Sequence, residues 1–296
     1  MPTLTIFTPA YNREKLLERG YEALKRQTCN DFLWMIVDDG STDQTEKRVT
    51  KWIRETKEFE IRYIKKENGG LHTGYNTAIE HADTELMVCV DSDDYIPDDA
   101  VEKILDFWKR EGSTQYAGIV GLDYDLEGKM IGDYLPNQKT VNLIDLLTGK
   151  YNLVNGDRTN VIRTELYKKV APMKSFKGEK NFNPHYMHLQ ISKEYDFLVL
   201  NENLKYVEYQ PEGMTKSMWK QYYNSPNSFA ETRKLYLSFE NTSFKFRFKH
   251  AIHYVSSCIL AGKFVEGIRD IQQKGYVILA IIPGFLLSFV VRKKGK

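Results

Sequence analysis

Cysteine is scarce in this chain: three stand among its 296 residues, at positions 29, 89 and 258. Their number is odd and their spacing matches no zinc motif, which argues against a disulfide framework and a zinc centre. So few cysteines are typical of a reducing compartment. Hydrophobic residues make up 42% of the chain and charged residues 28%, which argues against disorder and is ordinary for a globular protein.

A basic n-region is missing from the start of the sequence, which therefore predicts a first strand and no signal peptide. The apolar run 276–291 has only 16 residues, contains Pro283-Gly284 and ends in Arg292-Lys293-Lys294. A helix needs roughly 20 apolar residues to cross a bilayer. We expect the run to dip into one leaflet or to lie in the interface, with both ends cytoplasmic. The alternative is a helix packed on the body of the protein or in a homodimer.

A strong net charge is also missing, since the total is +2, but the two ends of the chain differ. Residues 233–296 carry a net charge of +9, and residues 1–232 a net charge of −7. A basic tail on an acidic body predicts contact with an anionic surface. We expect a membrane surface and no nucleic acid, because no nucleic-acid-binding motif accompanies the tail.

Short β-rich apolar runs alternate with helical patterns over the first 125 residues. The predicted strands are 4–8, 32–37, 61–64 and 86–90. The predicted helices are 15–26, a second one that Ser41 or Thr42 caps, 71–81 and one from Pro97 to Trp108. This order predicts an α/β fold, with a mostly parallel sheet flanked by helices.

Polar segments follow three of the predicted strands, at 8–13, 37–43 and 91–94. Ligands of such sheets bind outside the carboxyl ends of the strands, so we expect the three segments to converge at one edge. Asp91-Ser92-Asp93 has a D-x-D spacing that turns both carboxylates to one side of an extended chain. Hard oxygen ligands of this kind suit Mn²⁺ or Mg²⁺.

These segments resemble those of family 2 glycosyltransferases with the GT-A fold, the nucleotide-sugar-dependent group typical of bacterial polysaccharide synthesis. The family pattern appears here in order as 8–12, 37–43, 68–76 and 91–94, and the resemblance covers roughly residues 3–210. It implies a catalytic domain over 1–210, with a nucleotide-sugar half at 1–125 and an acceptor half at 126–210. Residues 211–296 are then a helical, membrane-associating extension.

The resemblance also implies roles in binding the nucleotide-sugar. Asp39 resembles the carboxylate that accepts the uracil N3–H, and Thr8, Pro9 and Tyr11 resemble the walls of the base pocket. Asp91, with Ser92 beside it, resembles the ribose contact, and Asp93 resembles the metal ligand. The loop 68–72 resembles the one that passes the diphosphate. His72 is the candidate for the phosphate contact there, because Leu71 supplies no cation.

The general base departs from the family pattern, since inverting members of the family use an Asp or Glu that is commonly part of a Glu-Asp pair. Residues 177–186 contain no such pair. Glu179 is the only carboxylate in that loop and is preferred, and His185 is the second candidate.

The resemblance implies an inverting enzyme that transfers a sugar from a UDP-sugar to a hydroxyl of a lipid-linked saccharide. The expected place is the cytoplasmic face of the cell membrane, in the synthesis of a surface polysaccharide. Two alternatives stay open. One is a polyprenyl-phosphate glycosyltransferase, whose relatives usually have longer, paired transmembrane helices. The other is a non-catalytic, sugar-nucleotide-binding membrane scaffold.

Overall fold

The computed structural model describes residues 2–154, 156–210 and 217–295. These residues fall into two compact units. The first holds most of the chain up to Tyr209. The second consists of Gly70–His72, Met173–Tyr186 and the residues from Gln210 onward. The expected boundary at Pro211-Glu212-Gly213 lies outside the described residues.

The first unit is built on one eight-stranded sheet, in the order β3-β2-β1-β4-β7-β5-β8-β6. Its strands are β1 (Leu4–Ala10), β2 (Phe32–Asp38), β3 (Glu60–Lys65), β4 (Leu86–Cys89), β5 (Tyr116–Asp125), β6 (Thr140–Val141), β7 (Arg158–Arg163) and β8 (Asp196–Val207). Strands β1 to β4 pair in parallel, and so do β5 and β8. The pairs β4–β7, β5–β7 and β6–β8 are antiparallel. The predicted α/β fold and the first four strands are confirmed.

Helices flank this sheet because their apolar faces need burial. They are α1 (Leu17–Lys25), α2 (Thr45–Glu55), α3 (Leu71–His81), α4 (Ala100–Glu111), α5 (Leu143–Thr148), α6 (Thr164–Val170) and α7 (His185–Ile191). Both β1 and β2 are almost wholly buried. The largest fully buried side chain is that of Trp34. Its ring centroid lies 5.8 Å from that of Trp52 and 6.1 Å from that of Tyr21. Burial of aromatic side chains of this size dominates core energetics.

The start of α2 differs from the expected capping by Ser41 or Thr42. The N-cap residue is Gln44, and its side chain makes no capping hydrogen bond. Asp43 instead accepts from the backbone N–H and the hydroxyl of Thr45, at 3.0 and 2.6 Å. Ser41 does not cap the helix, because its hydroxyl accepts a hydrogen bond from the first loop, as described below.

The second unit is largely helical. Its helices are α8 (Met218–Asn224), α9 (Pro226–Leu237), α10 (Phe244–Leu260), α11 (Phe264–Arg269), α12 (Lys274–Leu279) and α13 (Ile281–Gly295). The apolar run is broken at Ala280, between α12 and α13. Pro283-Gly284 does not interrupt it, because Pro283 lies in the first turn of α13, where its missing N–H costs no intrahelical bond. Among the described residues, no helix combines the length and the apolar character that crossing a membrane requires.

Candidate active site

The carboxyl ends of three neighbouring strands meet at one edge of the sheet. Ala10 at the end of β1 is level with Asp38 at the end of β2. On the other side of β1, Phe7 is level with Cys89 at the end of β4, and the N–H of Val90 donates to the carbonyl of Phe7 at 2.9 Å. The three loops that follow these strands therefore start side by side.

Asn12 ties the first two loops together. Its backbone is left-handed, with φ +54°, and its N–H donates to Oγ of Ser41 at 2.8 Å. Its side-chain Oδ1 accepts the N–H of Thr42 at 2.9 Å. Asparagine tolerates this backbone conformation better than most residues. The Tyr11-Asn12 segment is thus held against the loop that carries Asp39.

Asp39 is 9% exposed and is held by a cation that the sequence pattern did not single out. Its Oδ1 accepts from Nζ of Lys66 at 2.6 Å and from the N–H of Gly69 at 2.9 Å. Lys66 also donates to the hydroxyl of Thr73 at 2.8 Å. The neighbouring Asp38 has a different role: it is fully buried and accepts from Tyr63 and from the N–H of Ser41.

Three of the residues expected at the base pocket differ in how accessible they are. Thr8 is buried, and its hydroxyl accepts the indole N–H of Trp34 at 3.0 Å, so its polar atom serves the core. Pro9 is half-buried, and its register partner is Val37. The Tyr11 ring is 49% exposed, which leaves a face on which a base could stack.

The D-x-D segment follows β4. Asp91 is exposed, Ser92 is buried and Asp93 is half-buried. Burial raises the pKa of Asp94 to about 7, against the effect of Lys205.

Lys205 on β8 is the cation that pairs with this acidic segment. Its Nζ lies 3.5 Å from Oδ2 of Asp94 and 3.3 Å from Oδ2 of Asp123. Burial alone would lower the pKa of Lys205, but Asp123, Asp94 and Asp91 outweigh it and raise the pKa. The fixed positive charge makes this concentration of carboxylates tolerable in a buried environment.

The donor set fits a hard divalent cation that takes part of its ligands from a substrate. Asp91 and Asp93 offer carboxylate oxygens at the open end of the sheet. In the described part of the chain, no group of three or more histidine, cysteine, aspartate or glutamate side chains could hold a metal. Mg²⁺ commonly binds through one or two carboxylates together with substrate phosphates and water.

His72 and the loop 173–186 belong to the second unit. His72 is 1% exposed, with its ring 6.1 Å from that of Phe182. At Gly70, whose φ is +91°, an added Cβ would lie 2.0 Å from the carbonyl oxygen of Lys180. Only glycine allows this close approach of the two backbones.

Glu179 is buried at the start of α9, where it accepts four hydrogen bonds. One oxygen takes the N–H and the side-chain Nδ2 of Asn227, at 2.8 and 2.7 Å. The other takes the N–H and hydroxyl of Ser228, at 2.8 and 2.6 Å. This carboxylate satisfies N–H groups at a helix N-terminus that have no acceptor within the helix, and negative charge is favourable there.

His185, the second candidate base, begins α7 and is half-buried. Desolvation lowers its pKa to about 4, so the imidazole is neutral at pH 7 and is a weaker base than an ordinary histidine. The four hydrogen bonds to Glu179 occupy both oxygens of that carboxylate, and the choice between Glu179 and His185 as the base stays a prediction.

Comparison with known proteins decides the family. The sequence model described as "Glycosyl transferase family 2" matches residues 5–170. The chain belongs to glycosyl transferase family 2. The resemblance inferred from the four motifs is thereby confirmed.

Two curated relatives of this family 2 member come from bacteria. Chondroitin synthase of Escherichia coli is 28% identical over 227 residues, which is 69% of this chain and 33% of that protein. A teichoic acid poly(glycerol phosphate) polymerase of Staphylococcus epidermidis is 31% identical over 159 residues, covering 49% of this chain and 22% of that protein. The chain spans 33%, 58% and 40% of the length of three curated relatives that it matches.

Solved structures share the fold of this chain. TarS residues 1–349 of S. aureus, in complex with UDP-GlcNAc, has a TM-score of 0.59 at 18% identity, over 99% of this chain and 88% of that one. The mannosyltransferase PcManGT of Pyrobaculum calidifontis, in complex with GDP-Man and Mn²⁺, has a TM-score of 0.57 at 15% identity, over 99% and 83%. At these identities the likeness shows the GT-A fold alone.

Proposed function

We propose that this family 2 member is an inverting glycosyltransferase that moves a sugar from a UDP-sugar to a hydroxyl of a lipid-linked saccharide. The observation that carries the proposal is the shared sheet edge, where loops after β1, β2 and β4 present Tyr11, Asp39, Asp91 and Asp93. The named activities of the bacterial relatives, chondroitin synthesis and teichoic acid polymerisation, support polysaccharide synthesis as its setting.

On the donor side, Asp39 accepts the N3–H of uracil. Its ion pair with Lys66 and its bond from Gly69 fix one oxygen, so the carboxylate is held in place before the nucleotide arrives. The exposed ring of Tyr11 stacks on the base. Asp91 and Ser92 lie beside the ribose. Thr8 and Pro9 support this pocket from β1, and His72 supports the loop that passes the diphosphate.

Asp93 would hold Mn²⁺ or Mg²⁺, and Asp91 lies beside it. When bound, such an ion supplies positive charge against the departing diphosphate. The chain's own contribution is to keep these carboxylates together, which Lys205 does by offsetting their repulsion.

On the acceptor side, the neutral imidazole of His185 takes the proton from the attacking hydroxyl, and the sugar transfers in a single displacement with inversion. Glu179 holds the loop that carries His185 in place, because it accepts four hydrogen bonds from Asn227 and Ser228. We place the reaction at the cytoplasmic face of the cell membrane, where a lipid-linked acceptor would be met.

Release of UDP from a panel of UDP-sugars, with Mn²⁺ and then with excess EDTA, tests this function. We expect Asp93→Asn to reduce turnover about 100-fold or more, as loss of a centre of charge stabilisation does. Asp106→Asn is the matched control, because Asp106 is an exposed carboxylate on α4. Full turnover in EDTA, or in the Asp93 variant, would contradict the metal assignment.

A further inference from the structure

Helices α12 and α13 pack on the rest of their unit through a stripe of mostly small residues. The buried positions recur every three or four residues, as one face of a helix does. They are Val277, Ala280, Gly284, Ser288, Val291 and Gly295. This stripe packs against α10 and α8.

Close packing requires these residues to be small. A Cβ added at Gly284 would lie 2.6 Å from Val255 on α10, and one added at Gly295 would lie 2.5 Å from Tyr223 on α8. The hydroxyl of Ser288 is satisfied within the helix, since it donates to the carbonyl of Phe285 at 2.7 Å. The inner face therefore has no room for large side chains such as those on the opposite side of the helices.

Large apolar residues lie on the outward face of the same two helices. Their side chains are between 41% and 74% exposed: Ile278, Leu279, Ile282, Phe285, Leu286, Phe289 and Val290. A helix on a water-exposed surface has the opposite arrangement, with apolar residues inside and polar residues outside. An exposed apolar patch of this extent marks an interaction surface.

The patch continues into an apolar groove beside α13. Ile282, Phe285 and Leu286 form one wall, and residues at the end of α10 and the start of α11 form the other. Val265 on that second wall is 76% exposed, and Lys263 and Glu266 also line the groove.

The charged residues of α12 and α13 themselves have one sign. Residues 271–295 contain no aspartate or glutamate, and they include Lys274, Arg292, Lys293 and Lys294. All four are exposed, and Lys294 also lies over the ring of Trp219, at 5.0 Å. An apolar face with basic residues at its ends fits the interface of an anionic bilayer. A second copy of this chain would place the same positive charges against each other.

We propose that the outward face of α12 and α13 inserts into the interface of an anionic lipid bilayer, while the small-residue stripe keeps both helices on α10 and α8. The helices then lie along the membrane surface, because one side of each is occupied by protein. This inference rests on the membrane location in the proposed function, but not on its chemistry.

Flotation of the full chain with vesicles tests the proposal. Vesicles of phosphatidylcholine mixed with phosphatidylglycerol are compared with vesicles of phosphatidylcholine alone. We expect the double variant Phe285→Ser/Phe289→Ser to bind the anionic vesicles about 100-fold more weakly. The control Ile53→Ser/Leu126→Ser removes two similarly exposed apolar residues of the first unit and should bind as the wild type does.

A charge variant separates the electrostatic part of the binding. Arg292→Gln/Lys293→Gln should weaken binding to anionic vesicles about 30-fold and leave binding to neutral vesicles unchanged. Sedimentation of the lipid-free proteins checks for a dimer.

Failure of the wild type to float with anionic vesicles would overturn the proposal. So would a wild-type dimer that the phenylalanine variant converts to a monomer, since the face would then join two copies. Release of UDP with a soluble acceptor should be equal in all these variants. A lack of UDP release together with intact vesicle binding would count against the proposed chemistry and not against the membrane face.

Discussion

Replacement of Glu179 by Gln distinguishes a structural carboxylate from a catalytic one. The substitution keeps the size of the side chain but turns one acceptor oxygen into an NH₂ donor. In the wild type, each oxygen receives two hydrogen bonds, from Asn227 on one side and Ser228 on the other. Whichever way the amide turns, a donor must face backbone and side-chain donors at 2.6–2.8 Å.

The cost follows from these contacts. Leaving the buried donors at one side unsatisfied costs about 1–3 kcal/mol, and losing the negative charge at the start of α9 adds about 0.3–1 kcal/mol. We therefore expect a loss of about 3 kcal/mol in the free energy of unfolding, and a fall of about 6–12 °C in Tm. Ser228→Ala should cost about 1 kcal/mol in the wild type, and less when Glu179 is already Gln, because the two residues share the same bonds.

Thermal unfolding measures the stability loss, and UDP release below the unfolding temperature measures catalysis. We expect Glu179→Gln to keep turnover close to that of the wild type while Tm falls. His185→Asn should show the opposite pattern, with turnover reduced about 100-fold or more and UDP binding retained. An unchanged Tm with turnover lost in Glu179→Gln would refute the capping role and restore Glu179 as the base.

Two further predictions concern the nucleotide pocket and pH. Asp39→Asn should weaken UDP binding by about 1–3 kcal/mol in calorimetry and reduce the preference for UDP over CDP, because the amide oxygen that replaces one carboxylate oxygen is needed by Lys66 and Gly69 and the NH₂ then faces the uracil N3–H. Equal affinities of the wild type for UDP and CDP would contradict this. Burial, with help from Arg233, lowers the pKa of His250 to about 3, so the folded state resists a proton that the unfolded chain accepts. Stability is then fully present above the ordinary histidine pKa and is lost as pH falls from about 6.5 toward 3. Urea unfolding across this range should show a weaker pH dependence in His250→Asn, and an unchanged slope would count against the assignment.

The order of the first four strands and helices could be read from the sequence. Apolar periodicity and turn residues act over a few neighbouring positions, so they mark where elements lie, and α3 was predicted with its observed bounds. The loops at 8–13, 37–43 and 91–94 were placed at one edge for a related reason: parallel strands bring their carboxyl ends together.

Only the fold decides which residues far apart in the chain contact each other. Lys205 meets Asp94 because β8 is carried across the sheet to lie beside β5, and no local pattern records this. Lys66 could have been noticed as the basic residue before Asn68-Gly69, but its bond to Asp39 depends on the pairing of β2 with β3. The sequence predicts Glu179 as the base because it is the single carboxylate of its loop, and only packing shows that its oxygens also bind the start of α9.

The C-terminal helices show the same division. The sequence by itself determined that an apolar run with basic flanks ends the chain and that it contains small residues. It could not determine which of those residues face inward, because the run is apolar all round and has no polar side to orient it. Tertiary packing decided this: Gly284 and Gly295 allow the backbone to approach Val255 and Tyr223, and that contact turns the large apolar side chains outward.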